Sequence, residues 1–201
     1  MSPDSEELLP PYDGIKLADV RLVKTERDAA EALAALSAMD VIGFDTESKP
    51  TFLKGEVSTG PHLVQLATDE AVYLFQIGAT APVGVLKAVL ESRTILKVGF
   101  GLQDDVKRLQ AKLGISTSSV LDLSTALRKG ERNTLGAKTA VARFFGQKLQ
   151  KSKKITTTNW ALPRLSEKQI LYAADDAHVA LKIYRRWRSD QSAATPPAPS
   201  K

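Results

Sequence analysis

The chain contains no cysteine, which excludes a disulfide framework and a thiolate zinc site and leaves oxygen as the main donor for any bound metal. Carboxylate donors favour magnesium or manganese. No apolar run approaches the ~18 residues that a membrane span needs. The first residues lack the basic start and apolar stretch of a secretory signal, so the expectation is a cytoplasmic protein with no membrane partner. No internal repeat is visible.

What is present suits one domain. The 201 residues, 43% of them hydrophobic, suffice for a substantial core. Lys and Arg outnumber Asp and Glu by 28 to 23, a balance that fits a polyanionic ligand guided by surrounding positive charge. Residues 1–16, with Pro3, Pro10 and Pro11, and residues 189–201, ending Pro-Pro-Ala-Pro-Ser-Lys, read as disordered tails around a folded domain at 17–188.

Within that domain, apolar alternation predicts a short strand near Asp19–Lys24. A helix capped at Thr25 follows, with Ala29, Leu33 and Leu36 in its body. A strand over Val41–Glu47 comes next. Residues 48–61 form a loop, and 63–67 and 71–77 pair as a hairpin. Helices are expected over 83–91, 102–113 and 134–145, the last behind Asn133, with strands at 94–100 and 120–123. Ser166-Glu-Lys-Gln169 reads as a capping box, with Leu165 and Ile170 as a hydrophobic staple, for a long helix ending near Arg188. Hairpin strands followed by alternating strands and helices predict an α/β fold, a mixed sheet with helices on both faces.

The most informative segment is Val-Ile-Gly-Phe-Asp-Thr-Glu, a buried strand ending in Asp45 and Glu47. Alternate strand residues share a face, so both carboxylates point the same way. Two like charges at an apolar edge lose hydration and repel, a cost that a bound divalent cation offsets. Two doublets, Asp104-Asp105 and Asp175-Asp176, extend the pattern. The stripe Leu102, Val106, Leu109 and Leu113 puts Asp105 beside the core and Asp104 on the opposite side. In the final helix Asp176 falls within the apolar arc of Tyr172, Ile183 and Trp187, while Asp175 shares a solvated face with Lys182 and Arg186. Tyr172, four residues before Asp176, lies on the same helix face within reach of a shared ligand.

Phe-Asp-Thr-Glu, Lys97-Val-Gly-Phe-Gly-Leu-Gln-Asp-Asp105 and Tyr172-Ala-Ala-Asp-Asp176 together resemble the three motifs of the DEDDy 3′-5′ exonucleases. The resemblance runs from about Leu17 to Arg188 and includes Asn159-Trp160. It is nearest to the Werner-helicase exonuclease domain and its stand-alone bacterial relatives, and more distant to ribonuclease D. It implies a ribonuclease-H-like fold and two divalent cations, Mg2+ or Mn2+. Asp45 would bridge the two, Glu47 and Asp176 would serve the water-activating one, and Asp105 the other. Tyr172 would orient or help deprotonate the attacking water, releasing nucleoside 5′-monophosphates. Leu171 stands where histidine-type relatives carry His, so the tyrosine type applies. Ser48 departs from the aromatic or apolar residue that many relatives have after the Glu.

The expected partner is a nucleic-acid 3′ end, DNA or RNA. Thr46, between the two acids, and Trp160 are candidate substrate contacts, although a Trp between two elements is more often a packing anchor, and a regular strand would aim the Thr46 side chain away from Asp45 and Glu47. The basic run holding Lys148, Lys151, Lys153 and Lys154 can follow a phosphate backbone or form a solvated loop. The alternatives are an oligoribonuclease or ribonuclease-D-like RNA processor on the same site, and an inactive nucleic-acid-binding module on the same fold. Oligomeric state is left open.

Overall fold

Alternation along β2 (Val41–Glu47) sorts its side chains onto two faces, and different helices cover each. The computed structural model describes residues 8–53, 55–78, 81–128 and 134–194. In it β2 joins β1 (Val20–Leu22), β3 (Leu63–Ala67), β4 (Val72–Gln76), β5 (Leu96–Gly99) and β6 (Val120–Asp122) in one sheet. The strand order is β1-β4-β3-β2-β5-β6. β3 runs antiparallel to β2 and β4, while β1, β5 and β6 pair in parallel. The C-terminal ends of β1, β2, β4, β5 and β6 and the start of β3 therefore share one edge of the sheet.

Around the sheet lie α1 (Glu26–Ser37), α2 (Val83–Leu90), α3 (Gln103–Leu113), α4 (Leu123–Ala126), α5 (Ala137–Phe145), α6 (Lys153–Thr156) and α7 (Glu167–Ala194). On one face Ile42 and Phe44 of β2 join Leu36 of α1, Leu86 of α2 and Leu109 of α3 in a buried cluster. Each such side chain contributes roughly 1.5–3 kcal/mol on leaving water. On the other face α7 covers Leu63 and Ala67 with Ala173 and Ala177, and Val41 and Val98 with Val179 and Ile183. The contact is close. A Cβ on Gly43 would lie 1.9 Å from the Ala177 carbonyl oxygen, so the strand accepts the helix there only because residue 43 has no side chain.

The predicted caps form. Asp28 N donates to Thr25 Oγ1 at 3.1 Å and Thr25 N to Asp28 Oδ2 at 2.9 Å. Gln169 N donates to Ser166 Oγ at 3.3 Å and Ser166 N to Gln169 Oε1 at 3.0 Å. The cap expected at Asn133 lies outside the described residues, and α5 instead starts after Gly136.

The ordered chain extends beyond both domain boundaries that composition suggests. Ahead of Leu17, Ile15 is buried, Tyr12 packs on Phe145 with ring centroids 5.9 Å apart, and Tyr12 N donates to Lys148 O at 2.9 Å. Proline and acidic content concealed two side chains that find tertiary partners. At the other end α7 continues past Arg188 to Ala194, carrying an Arg186–Asp190 pair at 2.9 Å one turn apart. Residues 1–7 and 195–201 lie outside the described ones. No helix among the described residues is long and apolar enough to cross a membrane.

Candidate active site

Asp45 and Glu47 sit at the C-terminal end of β2 on the same face as Gly43, turned toward α7. The strand end is held in place because Glu47 O accepts the backbone N–H of His62 at 2.8 Å. Directly across from Asp45 on β3 is Gln65, fully buried, with neither its amide nitrogen nor its oxygen hydrogen-bonded.

Thr46 takes the face of Ile42 and Phe44, which α3 covers. It points away from Asp45 and Glu47, as strand geometry requires, and meets the third acid instead: its hydroxyl donates to Asp105 Oδ1. Asp105 is 8% exposed, whereas Asp104 is open to solvent beside Lys107. The turn that aims α3 is fixed by Asp122 at the end of β6. Its carboxylate accepts the backbone N–H groups of Gly101 and Leu102, each at 3.0 Å, with Gly101 at a φ of +72°.

From α7 come Tyr172 and Asp176. Lys151 reaches over from the segment before α6, placing Nζ 2.7 Å from Asp176 Oδ1 and 5.8 Å from the centroid of the Tyr172 ring. The Tyr172 hydroxyl lies 2.9 Å from Thr156 Oγ1. Lys151 of the basic run thus brings its ammonium into the acidic site.

These groups alter one another's ionisation. Burial, then the neighbouring charges of Asp176, Asp105 and Glu47, push the Asp45 carboxyl well above the usual carboxylate range. Glu47 rises to about 8 for the same reasons, burial first and Asp176 next. Burial also raises Asp105 and Asp176, the latter against the opposing pull of Lys151. Desolvation alone would lower the Lys151 ammonium, but the Asp176 carboxylate outweighs it and the net shift is upward. Tyr172 is pushed up to about 12, chiefly by burial and then by Asp176.

Two sequence expectations change. Asp175 is not on a solvated face: it is half-buried, accepts Ile15 N at 2.8 Å, and burial lifts its pKa to about 6. Its neighbour is the segment that composition assigned to a tail. Trp160 is 0% exposed, its indole N–H donates to Thr156 O at 3.3 Å, and its ring lies 6.1 Å from that of Tyr172. It cannot stack on a base and acts as the anchor behind Tyr172. Thr46 keeps its expected direction and spends its hydroxyl on Asp105, so a substrate contact there is left to its backbone. Sequence reasoning passed over Gln65 and Asp122. An amide inside the apolar strand 63–67 was the available signal for the first, and an acid at the end of a short strand for the second.

Among the described residues no three His, Asp or Glu side chains close to direct metal-ligand distance. The charges of Asp105 and Asp176 lie near enough to raise the pKa of Asp45 and Glu47, and all four are hard oxygen donors, which suits magnesium or manganese. Along the same sheet edge, beyond His62, opens a cleft of about 540 Å³ with Lys24, Gln76 and Arg164 in its walls.

A mixed sheet sandwiched between helices, with carboxylates gathered where β2, α3 and α7 meet, defines a ribonuclease-H-like α/β nuclease domain. Residues 20–190 match the model of the 3′-5′ exonuclease family, and the chain belongs to that family. It is 32% identical over 155 residues to the bifunctional 3′-5′ exonuclease/ATP-dependent helicase WRN of Mus musculus, covering 75% of this chain and 11% of that protein. It is 32% identical over 211 residues to the exonuclease mut-7 homolog of Aedes aegypti, covering 91% of this chain and 28% of that one. The crystal structure of the Aedes aegypti Nibbler EXO domain superposes with a TM-score of 0.77 at 26% identity, covering 90% of this chain and 94% of that domain. The chain thus spans a minor part of the length of these two curated relatives. The family depends on divalent metal ions.

Proposed function

We propose that this protein hydrolyses the 3′-terminal phosphodiester of DNA or RNA and releases nucleoside 5′-monophosphates. The observation that carries the reading is the meeting of Asp45, Glu47, Asp105 and Asp176 with Tyr172 at one sheet edge, in a chain of the 3′-5′ exonuclease family. Asp45, Glu47 and Asp176 would hold one divalent cation, with Asp45 shared and Asp105 serving a second, Mg2+ or Mn2+. When bound, the ions supply a water of lowered pKa and neutralise charge on the leaving 3′ oxygen.

The chain's own groups do the rest. Tyr172, its pKa raised to about 12 in the metal-free protein, presents a protonated hydroxyl that orients the attacking water by hydrogen bonding. Thr156 on one side and the Trp160 ring behind fix where that hydroxyl points. Lys151 carries the positive charge nearest Asp176 and is placed to meet a non-bridging phosphate oxygen. Thr46 and Asp122 hold Asp105 and its helix in register with β2.

The test offers purified protein with magnesium or manganese matched 5′-labelled DNA and RNA, as single strands and as recessed duplexes. Stepwise shortening from the 3′ end is expected, and protection by a 3′ phosphate. Cleavage of a circular single strand would overturn the exonuclease reading. Turnover of short RNA alone would favour the oligoribonuclease or ribonuclease-D-like alternative, and binding without turnover the inactive module.

A further inference from the structure

The loop between β2 and β3 carries three large apolar side chains that the fold does not use. Phe52 is 77% exposed, Leu53 76% and Val57 83%. Single exposed apolar residues are ordinary on a protein surface, but three within six residues of chain form a patch that calls for a partner. The base of this loop is firmly built. His62 N donates to Glu47 O at 2.8 Å, and the His62 ring accepts Lys49 N at 3.1 Å and lies 3.2 Å from Thr59 Oγ1. Lys112 of α3 donates to Thr59 O at 2.6 Å and Pro61 O at 2.8 Å. Near the tip, Glu56 accepts the backbone N–H groups of Phe52 and Leu53 at 3.0 and 3.2 Å. Both ends of the loop are thus fastened at the acidic edge while its apolar side chains face water.

We infer that this loop is a stacking platform for the nucleobases just upstream of the scissile phosphodiester, with Phe52 as the aromatic face. The inference deepens the reading above and rests on it. Phe52 follows Glu47 by five residues, so its Cα lies within about 17 Å of the strand end, the span of a fully extended chain of that length. A strand whose 3′ end is held at the carboxylates and which leaves toward the β2–β3 loop would pass within that distance. The occupant must combine flat apolar surface with negative charge, because the patch is flanked by Lys49 and the cleft edge by Lys24 and Arg164. An unpaired nucleic-acid strand has both. Stacking on Phe52 is tolerant of base identity, since every base presents a π face, and it selects unpaired over paired nucleotides.

The experiment compares the intact chain with Phe52→Ala and Phe52→Tyr in magnesium or manganese, on a 5′-labelled single strand of about twelve nucleotides, with and without abasic sites just upstream of the terminal nucleotide. Phe52→Ala should raise KM about tenfold, the scale of one lost base–aromatic stack, with the loss falling on KM rather than kcat. Phe52→Tyr should restore it. Abasic substitution should raise the wild-type KM to a similar extent and add little in Phe52→Ala, because both changes remove the same contact. Penalties that multiply, or an unchanged KM, would overturn the inference. So would a change of oligomeric state in Phe52→Ala without a change in KM, which would make the patch a protein interface. Failure of the wild type to shorten any strand would instead sink the exonuclease reading itself.

Discussion

The Lys151 ammonium stands 2.7 Å from Asp176 Oδ1, in a pair whose acid is buried and whose base is mostly covered. Removing one partner of such a pair leaves an uncompensated charge. Lys151→Met should therefore lower the melting temperature in chelator, on the order of 5 °C for about 2 kcal/mol in a domain of this size. The variant should gain more than wild type from added manganese, because a cation then replaces the missing charge. Thermal melts with and without metal at constant ionic strength check both arms; equal gains would mean that manganese binds away from Asp176.

Asp45 carries the opposite prediction. Its carboxyl is held among three others, so Asp45→Asn relieves repulsion and should melt higher than wild type in chelator. It should gain less on adding manganese and lose turnover. An identical metal-induced shift in the two proteins would remove Asp45 from the metal site.

Glu47 sets a pH dependence. Its pKa rises from an ordinary 4.5 to about 8 in the folded protein, so between those values the native state binds a proton that the unfolded chain does not. The stability this adds to the metal-free protein is fully present below about pH 4.5 and is lost as pH rises through about 8. Cation binding must expel that proton. Manganese affinity should therefore strengthen between about pH 6.5 and 8.5, and calorimetry in buffers of different ionisation enthalpy should detect proton release near neutral pH. A pH-independent affinity would contradict the site.

Gln65 should separate stability from activity. Its amide is buried opposite Asp45 with no hydrogen bond, and an unsatisfied buried polar group costs roughly 1–3 kcal/mol. Gln65→Leu should raise the chemical-denaturation midpoint in chelator and lower kcat, since the amide is the polar group nearest Asp45 across the strand pair. A variant both more stable and fully active would show that Gln65 takes no part in the site.

The two doublets offer a control on the choice of acids. Asp105→Ala should cost at least ~10²-fold in rate, whereas Asp104→Ala should stay near wild type, because only the first bonds Thr46 and faces the other carboxyls. Tyr172→Phe should fall by about 10²-fold, the scale of an assisting hydroxyl.

Much of this was legible from spacing alone. The stripe from Leu102 to Leu113 separated Asp105 from Asp104 because helical periodicity is local, and the Thr25 cap and the Ser166 capping box were readable for the same reason. Asp175 was misplaced because its surroundings are not local. The residue that covers it, Ile15, lies at the far end of the chain in a segment whose prolines and acids suggested no structure. Lys151 was one of four indistinguishable lysines until folding brought one of them to Asp176. Thr46 was rightly aimed away from its neighbours, but which helix lay on that side required the sheet order.

The missing methyl at Gly43 bears on when the acidic site is completed during synthesis. Asp45 is synthesised early and Asp176 late, and the two meet only when α7 settles on β2 at the gap that glycine leaves. During synthesis, the growing chain holds β2 with one face uncovered and an incomplete set of acids. A side chain at 43 would meet the Ala177 carbonyl and hold α7 off the strand. Completion of the acidic site is thereby timed by topology to the docking of α7, so a partly made chain that lacks this helix has Asp45 and Glu47 without Tyr172 and Asp176.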